Sequence, residues 1–166
     1  MSLRPQDLLV SLKLALDPEL TYTKLSEGLE MSLSEAHGAV RRATDAGLLM
    51  QDRQANRSAL LEFVLFGAKY AFYPKRGRMT RGVPTAHGAP AMSGLIRAGN
   101  EPVPVWPSPE GTVRGEAFEP IYGSVPVAAA KDPRLYEILS LFDAIRGGRA
   151  RERNIAEKRL REILAP

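Results

Sequence analysis

The chain reads as an α+β protein, mainly helical. An N-terminal helix-turn-helix unit fills residues 1–57, and residues 58–166 hold a loop-rich segment with a small sheet and a C-terminal helical hairpin. Three observations predict this. Apolar residues recur at helical spacing in residues 5–46 and again in residues 132–164. Ser32 to Glu35 has the pattern of a helix start, and Gly47 stands where that helix should stop. Residues 74–123 contain eight of the 13 prolines and eight of the 14 glycines, which excludes long helices there.

The first helix is expected over Pro5 to Leu16, with Leu8, Leu9, Leu12 and Leu16 as its apolar stripe. Pro5 suits a first helical turn, and Asp17-Pro18 stops the helix. The second should run from Tyr22 to Leu29, capped by Thr21 or Thr23, with Leu25 and Leu29 inward and Glu30-Met31 in the turn. The third, residues 33–46, begins at an N-cap, Ser32, with Glu35 completing a capping box. Ala36, Ala39, Val40 and Ala43 share one face of it, small enough to pack closely. Ser34, His37, Gly38 and Arg41 share the other.

Beyond residue 58 a helix is expected in ALLEFVLFGAKYAF, ending at Gly67, followed by a short strand at Lys69 to Tyr73 whose aromatics enter the core. Residues 74–123 should form a small sheet from Pro102–Trp106, Thr112–Phe118 and Ile121-Tyr122, with a hairpin turn at Ser108 to Gly111. Thr80 to Pro90, with Arg81, Thr85 and His87, reads as a loop wrapping the core more readily than as a ligand loop. Two helices close the chain, one from Asp132-Pro133 to Arg146 and one from Arg149 to Leu164. The narrow apolar strip of the last suits either docking on its hairpin partner or a dimer interface.

The N-terminal order of helix, helix, turn and helix leads through Ala46-Gly47-Leu48-Leu49 into the polar stretch MQDRQANR. It resembles the winged helix-turn-helix of bacterial transcriptional regulators of the MarR type. The likeness covers residues 4–57, and the wing segment Met50 to Arg57 is short for a two-stranded wing. The resemblance implies a DNA-binding module whose third helix enters the major groove and whose regulators act as two-fold dimers.

Charge distribution agrees with that expectation. The net charge of +4 is mild, but residues 51–100 carry eight Lys/Arg against two Asp/Glu, whereas residues 1–50 carry five against seven. Ser34, His37, Gly38 and Arg41 are the candidate groove residues; Arg41 suits a base or a phosphate, and His37 a groove contact or a plain exposed side chain. Arg42, Arg53 and Arg57 are candidate phosphate contacts, Arg42 equally a solvated charge. Lys69, Lys75, Arg76, Arg78 and Arg81 continue the basic stretch.

The leading expectation is therefore a sequence-specific, duplex-DNA-binding repressor, homodimeric, with residues 58–166 for dimerisation, ligand or partner binding. The alternative is an antitoxin-like or other interaction module that binds a partner protein through residues 58–166. Two histidines, no cysteine and no phosphate-loop or dinucleotide motif argue against an enzyme, a metal site or a cofactor. No apolar run is long enough to cross a membrane, and Arg4 and Asp7 interrupt any leader-like stretch, which predicts a cytoplasmic protein.

Overall fold

The computed structural model describes residues 2–96 and 99–166. The architecture is α+β and mainly helical. Three helices open it: α1 (Pro5–Leu16), α2 (Tyr22–Gly28) and α3 (Leu33–Asp45). Gly47 ends this unit in a left-handed conformation, φ 84°, as a glycine after a helix commonly does. Residues 50–54 then make a tight hairpin turn, with a single bridge between Leu49 and Ala55.

The packing of α1 on α3 rests on a buried ion pair. Asp7 is fully buried in the first turn of α1, where it accepts a hydrogen bond from the Arg4 backbone N–H at 2.8 Å. Its carboxylate also receives Arg42 of α3, through Nε at 2.9 Å and Nη2 at 2.8 Å. Around this pair Leu8, Leu9, Leu12, Leu25, Ala36, Ala39 and Ala43 are fully buried.

A helical rod follows: α4 (Arg57–Glu62), a π-helical turn at Phe63–Gly67, and α5 (Ala68–Ala71). This corrects the expected stop at Gly67 and the strand after it. Leu60, Val64 and Ala68, four residues apart, are all fully buried, so the helical period continues through the glycine. A Cβ on Gly67 would lie 2.8 Å from the Phe63 ring, so the glycine makes room for that ring inside the wide turn. The expected core aromatics Tyr70 and Tyr73 are exposed.

The proline- and glycine-rich region forms a three-stranded closed barrel of β1 (Arg76–Pro84), β2 (Pro104–Pro107) and β3 (Val113–Phe118). The expected hairpin between the second and third pieces is not formed. Its turn is present, with the Gly111 N–H donating to the Ser108 carbonyl at 3.1 Å, but β2 and β3 run parallel and each pairs antiparallel with β1. Gly82 lies opposite both Pro107 and Val113, and a Cβ there would sit 2.1 Å from the Trp106 carbonyl oxygen. Residues 121–122 bend rather than extend.

A short helix, α6 (Pro90–Ser93), lies between β1 and β2, and helices α7 (Val125–Lys131), α8 (Pro133–Gly147) and α9 (Ala150–Ile163) complete the chain. Ten of the 15 residues of α8 are buried, and one continuous hydrophobic cluster runs from α1 to Leu164. Asp143 of α8 accepts from Thr85 Oγ1 and Trp106 Nε1, both at 2.7 Å, and from Arg146 Nε at 2.9 Å. Arg146 in turn donates to the carbonyls of Phe72 and Glu119, which fastens the barrel to the rod. The apolar residues of α9, Ala156 and Leu160, are buried within the chain, so the strip is docked on the hairpin partner.

Lys13 links the first three helices to the rest. Its ammonium reaches Asp17 at 3.0 Å and Asp132 at 2.6 Å, and Arg134 reaches Asp17 at 2.6 Å. Burial pushes both carboxyls up, but Lys13, joined at Asp17 by the Arg134 guanidinium and at Asp132 by the backbone N–H groups of Arg134 and Leu135, outweighs it and holds both below their ordinary value. Burial likewise opposes the charge on Lys13, and the two carboxylates outweigh it, raising the ammonium above its ordinary value.

Two outcomes are expected. Arg42→Met leaves Asp7 buried without its cation and should cost about 3–5 kcal/mol in urea denaturation, whereas Asp7→Leu/Arg42→Met should cost less than the single change. The Lys13 cluster should contribute stability between the ordinary carboxylate value of 3.8 and the ordinary lysine value of 10.5. Depressed carboxyls lose their contribution as pH falls through their folded-state values, and a raised lysine loses its own as pH rises through its folded-state value. Thermal melts of Lys13→Met across pH should show a shallower acid decline and alkaline decline than the wild type.

Candidate nucleic-acid interface

The presentation of α3 follows from its local sequence. Thr21 caps α2, accepting from the Lys24 N–H at 3.1 Å, and Ser32 caps α3, accepting from the Glu35 N–H at 3.0 Å. The reciprocal half of the expected capping box is absent. Glu35 instead accepts from Gln6 Nε2 at 3.2 Å, a second tie between α1 and α3. With its small residues and Arg42 turned inward, α3 leaves Ser34, His37 and Arg41 exposed.

These side chains edge a concave surface of about 600 Å³, bounded also by Tyr22 and by Arg53 from the hairpin. The His37 ring stacks on Tyr22 with centroids 3.8 Å apart and planes 21° apart. The Arg53 guanidinium lies over the same tyrosine at 4.7 Å and donates to the Leu20 carbonyl at 2.9 Å. Arg53 also occupies the left-handed position of its turn, φ 68°, which glycine usually takes and which costs a larger residue about 1–2 kcal/mol. Backbone strain of this kind gathers at functional sites. Arg41 has no ion pair with a described residue. Asp45 lines the same surface, so its charge is mixed.

The structure thus brings Ser34, His37, Gly38, Arg41 and Arg53 together on one face. Gly38 belongs to it for a different reason than close approach to a ligand. A Cβ at that position would meet Arg42 Nη1 at 3.1 Å, so the glycine makes space for the buried guanidinium. Arg42 also edges this surface, but in place of the expected phosphate contact or solvated charge its guanidinium is buried and paired with Asp7. Arg57 is likewise turned away from the groove. It donates to the carbonyls of Ala15 at 2.7 Å and Ile163 at 3.0 Å, joining α1 to the end of α9.

Tyr22 is the residue that sequence reading missed. Its signal was an aromatic at the first position of α2, the helix preceding the proposed recognition helix. Thr85 is fully buried on Asp143, and His87 Nδ1 lies 3.4 Å from Glu152. Among the described residues no three His, Asp or Glu side chains cluster as a metal would require, and no helix is long and apolar enough to cross a membrane. No protein-family model, curated protein or solved structure matches the chain.

If Arg57 is structural as placed, Arg57→Ala should lower the melting temperature and leave the salt dependence of any duplex binding unchanged. A thermal melt beside an affinity series in salt checks both halves.

Proposed function

We propose that this chain is a sequence-specific, duplex-DNA-binding transcriptional regulator whose N-terminal part is a winged helix-turn-helix. The observation that carries the reading is the gathering of Ser34, His37, Arg41 and Arg53 on the exposed side of α3 and its adjoining hairpin. A major groove about 12 Å wide admits one α-helix and offers donors and acceptors in a distinct pattern for each base pair. Arg41 is the long, cationic side chain best suited to a guanine edge or the flanking phosphate. His37 and Ser34 sit one and two turns nearer the helix start, where recognition helices make base contacts. Arg53, steadied on Tyr22, meets the phosphate backbone from the hairpin. The helix order and the hairpin after Gly47 support the likeness to regulators of the MarR type.

A two-fold dimer reading a palindrome is the usual mode of such regulators. Here the apolar faces of α8 and α9 are packed within the chain, so a dimer needs another surface. A second reading, binding of a partner protein in the manner of an antitoxin, has its own observation. Phe66 and Tyr70 on the rod and Tyr73 just after it are exposed, and exposed aromatics are enriched at protein interfaces.

The test begins with selection of duplexes from a random library by the wild-type protein. Arg41→Ala should then weaken binding to the selected duplex by about 1–3 kcal/mol while binding to random duplex changes less. Equal losses on both would make Arg41 a phosphate contact. Failure of the library to converge on any sequence would overturn the reading.

A further inference from the structure

The barrel carries a charge arrangement that folding does not explain. Its strands hold four arginines, Arg76, Arg78, Arg81 and Arg114, against one carboxylate, Glu116. Glu116 is answered by Arg76 at 3.7 Å, and Arg76 is further held by the Gly147 carbonyl at 2.6 Å and by the Phe118 ring. The other three are exposed and make no ion pair or side-chain hydrogen bond with a described residue. Arg81 and Arg114 are moreover direct partners across the antiparallel β1–β3 ladder. Like charges placed opposite each other destabilise a sheet. The barrel keeps this pair on a frame stiffened by the close backbone approaches at Gly82, Gly111 and Gly115.

We propose that the Arg81–Arg114 pair on the barrel is a second nucleic-acid contact, binding the phosphate backbone without reading sequence. A phosphodiester between Arg81 and Arg114 relieves their repulsion, and the planar guanidinium matches phosphate oxygens in pairs. The face lacks the aromatic anchors at which protein partners gain most of their affinity. Met79 is the exposed large apolar side chain on these strands among the described residues. That favours a phosphate chain over an acidic protein surface. The site uses no residue of α3 and stands apart from the groove reading.

The experiment measures affinity for a random-sequence duplex between 50 and 300 mM salt by fluorescence anisotropy, for the full chain. Each phosphate contact contributes about 0.9 to the slope of log affinity on log salt, so Arg81→Ala/Arg114→Ala should lower the slope by about 1.8. Affinity at low salt should fall about tenfold or more, while Arg81→Lys/Arg114→Lys keeps most of the slope. The alanine pair should leave the melting temperature unchanged or raise it, since it removes a repulsion. The same change made in an Arg41→Ala background should give the same drop in slope. An unchanged slope in the alanine pair, with Arg41→Ala still impaired, overturns the barrel contact and spares the groove. The reverse pattern spares the barrel contact and overturns the groove. Absence of duplex binding by the wild type, or Arg81/Arg114-dependent binding of poly-glutamate in its place, overturns the barrel proposal.

Discussion

The Asp7–Arg42 pair sets the rest of the N-terminal structure. Two charges taken from water are stable together only with close geometry and further hydrogen bonds, and here the carboxylate has both, from Arg42 and from the Arg4 backbone. The pair fixes how α3 is rotated about its own axis. With Arg42 locked inward, Arg41 at the next position must face outward, and Ser34 and His37 follow by helical period. It also fixes Gly38, whose missing side chain is the space the guanidinium fills. A non-directional apolar contact between α1 and α3 would tolerate small rotations; a bidentate ion pair does not.

The same logic recurs through the molecule. Arg57, Arg146 and Lys13 are cations that each have a partner far away in sequence, and each ties two elements that apolar packing alone would leave free to slide. Positive charge in this chain therefore divides into two kinds. One kind is internal, with carbonyls and carboxylates as partners. The other is exposed, and includes Arg41 on α3 and Arg78, Arg81 and Arg114 on the barrel. The net charge of +4 contains both and distinguishes neither.

That division marks the limit of what the sequence could disclose. The helix starts at Pro5, Tyr22 and Leu33 were legible because caps and prolines act locally, over a few residues. So was the outward face of α3, which needs only helical periodicity. Arg42 and Arg57 were not legible as internal, because their partners Asp7, Ala15 and Ile163 are distant in the chain. A glycine was read as a stop at position 67, where it accommodates a ring within a continuing helix. β1 was hidden because RGRMTRGVP lacks a clean apolar alternation, and a barrel this narrow fills its interior partly with backbone at glycines. Without β1, the two later strands had only each other as partners, and an antiparallel hairpin was the natural but incorrect result.

The central claim is that the exposed side of α3 reads duplex DNA. The most direct measurement is capture of sheared genomic DNA, from the cells that encode this chain, by the purified full-length protein near physiological salt, with sequencing of what is retained. Retention of one or a few discrete sites is the expected result. Uniform recovery across the genome, or no recovery above a protein-free control, would contradict it.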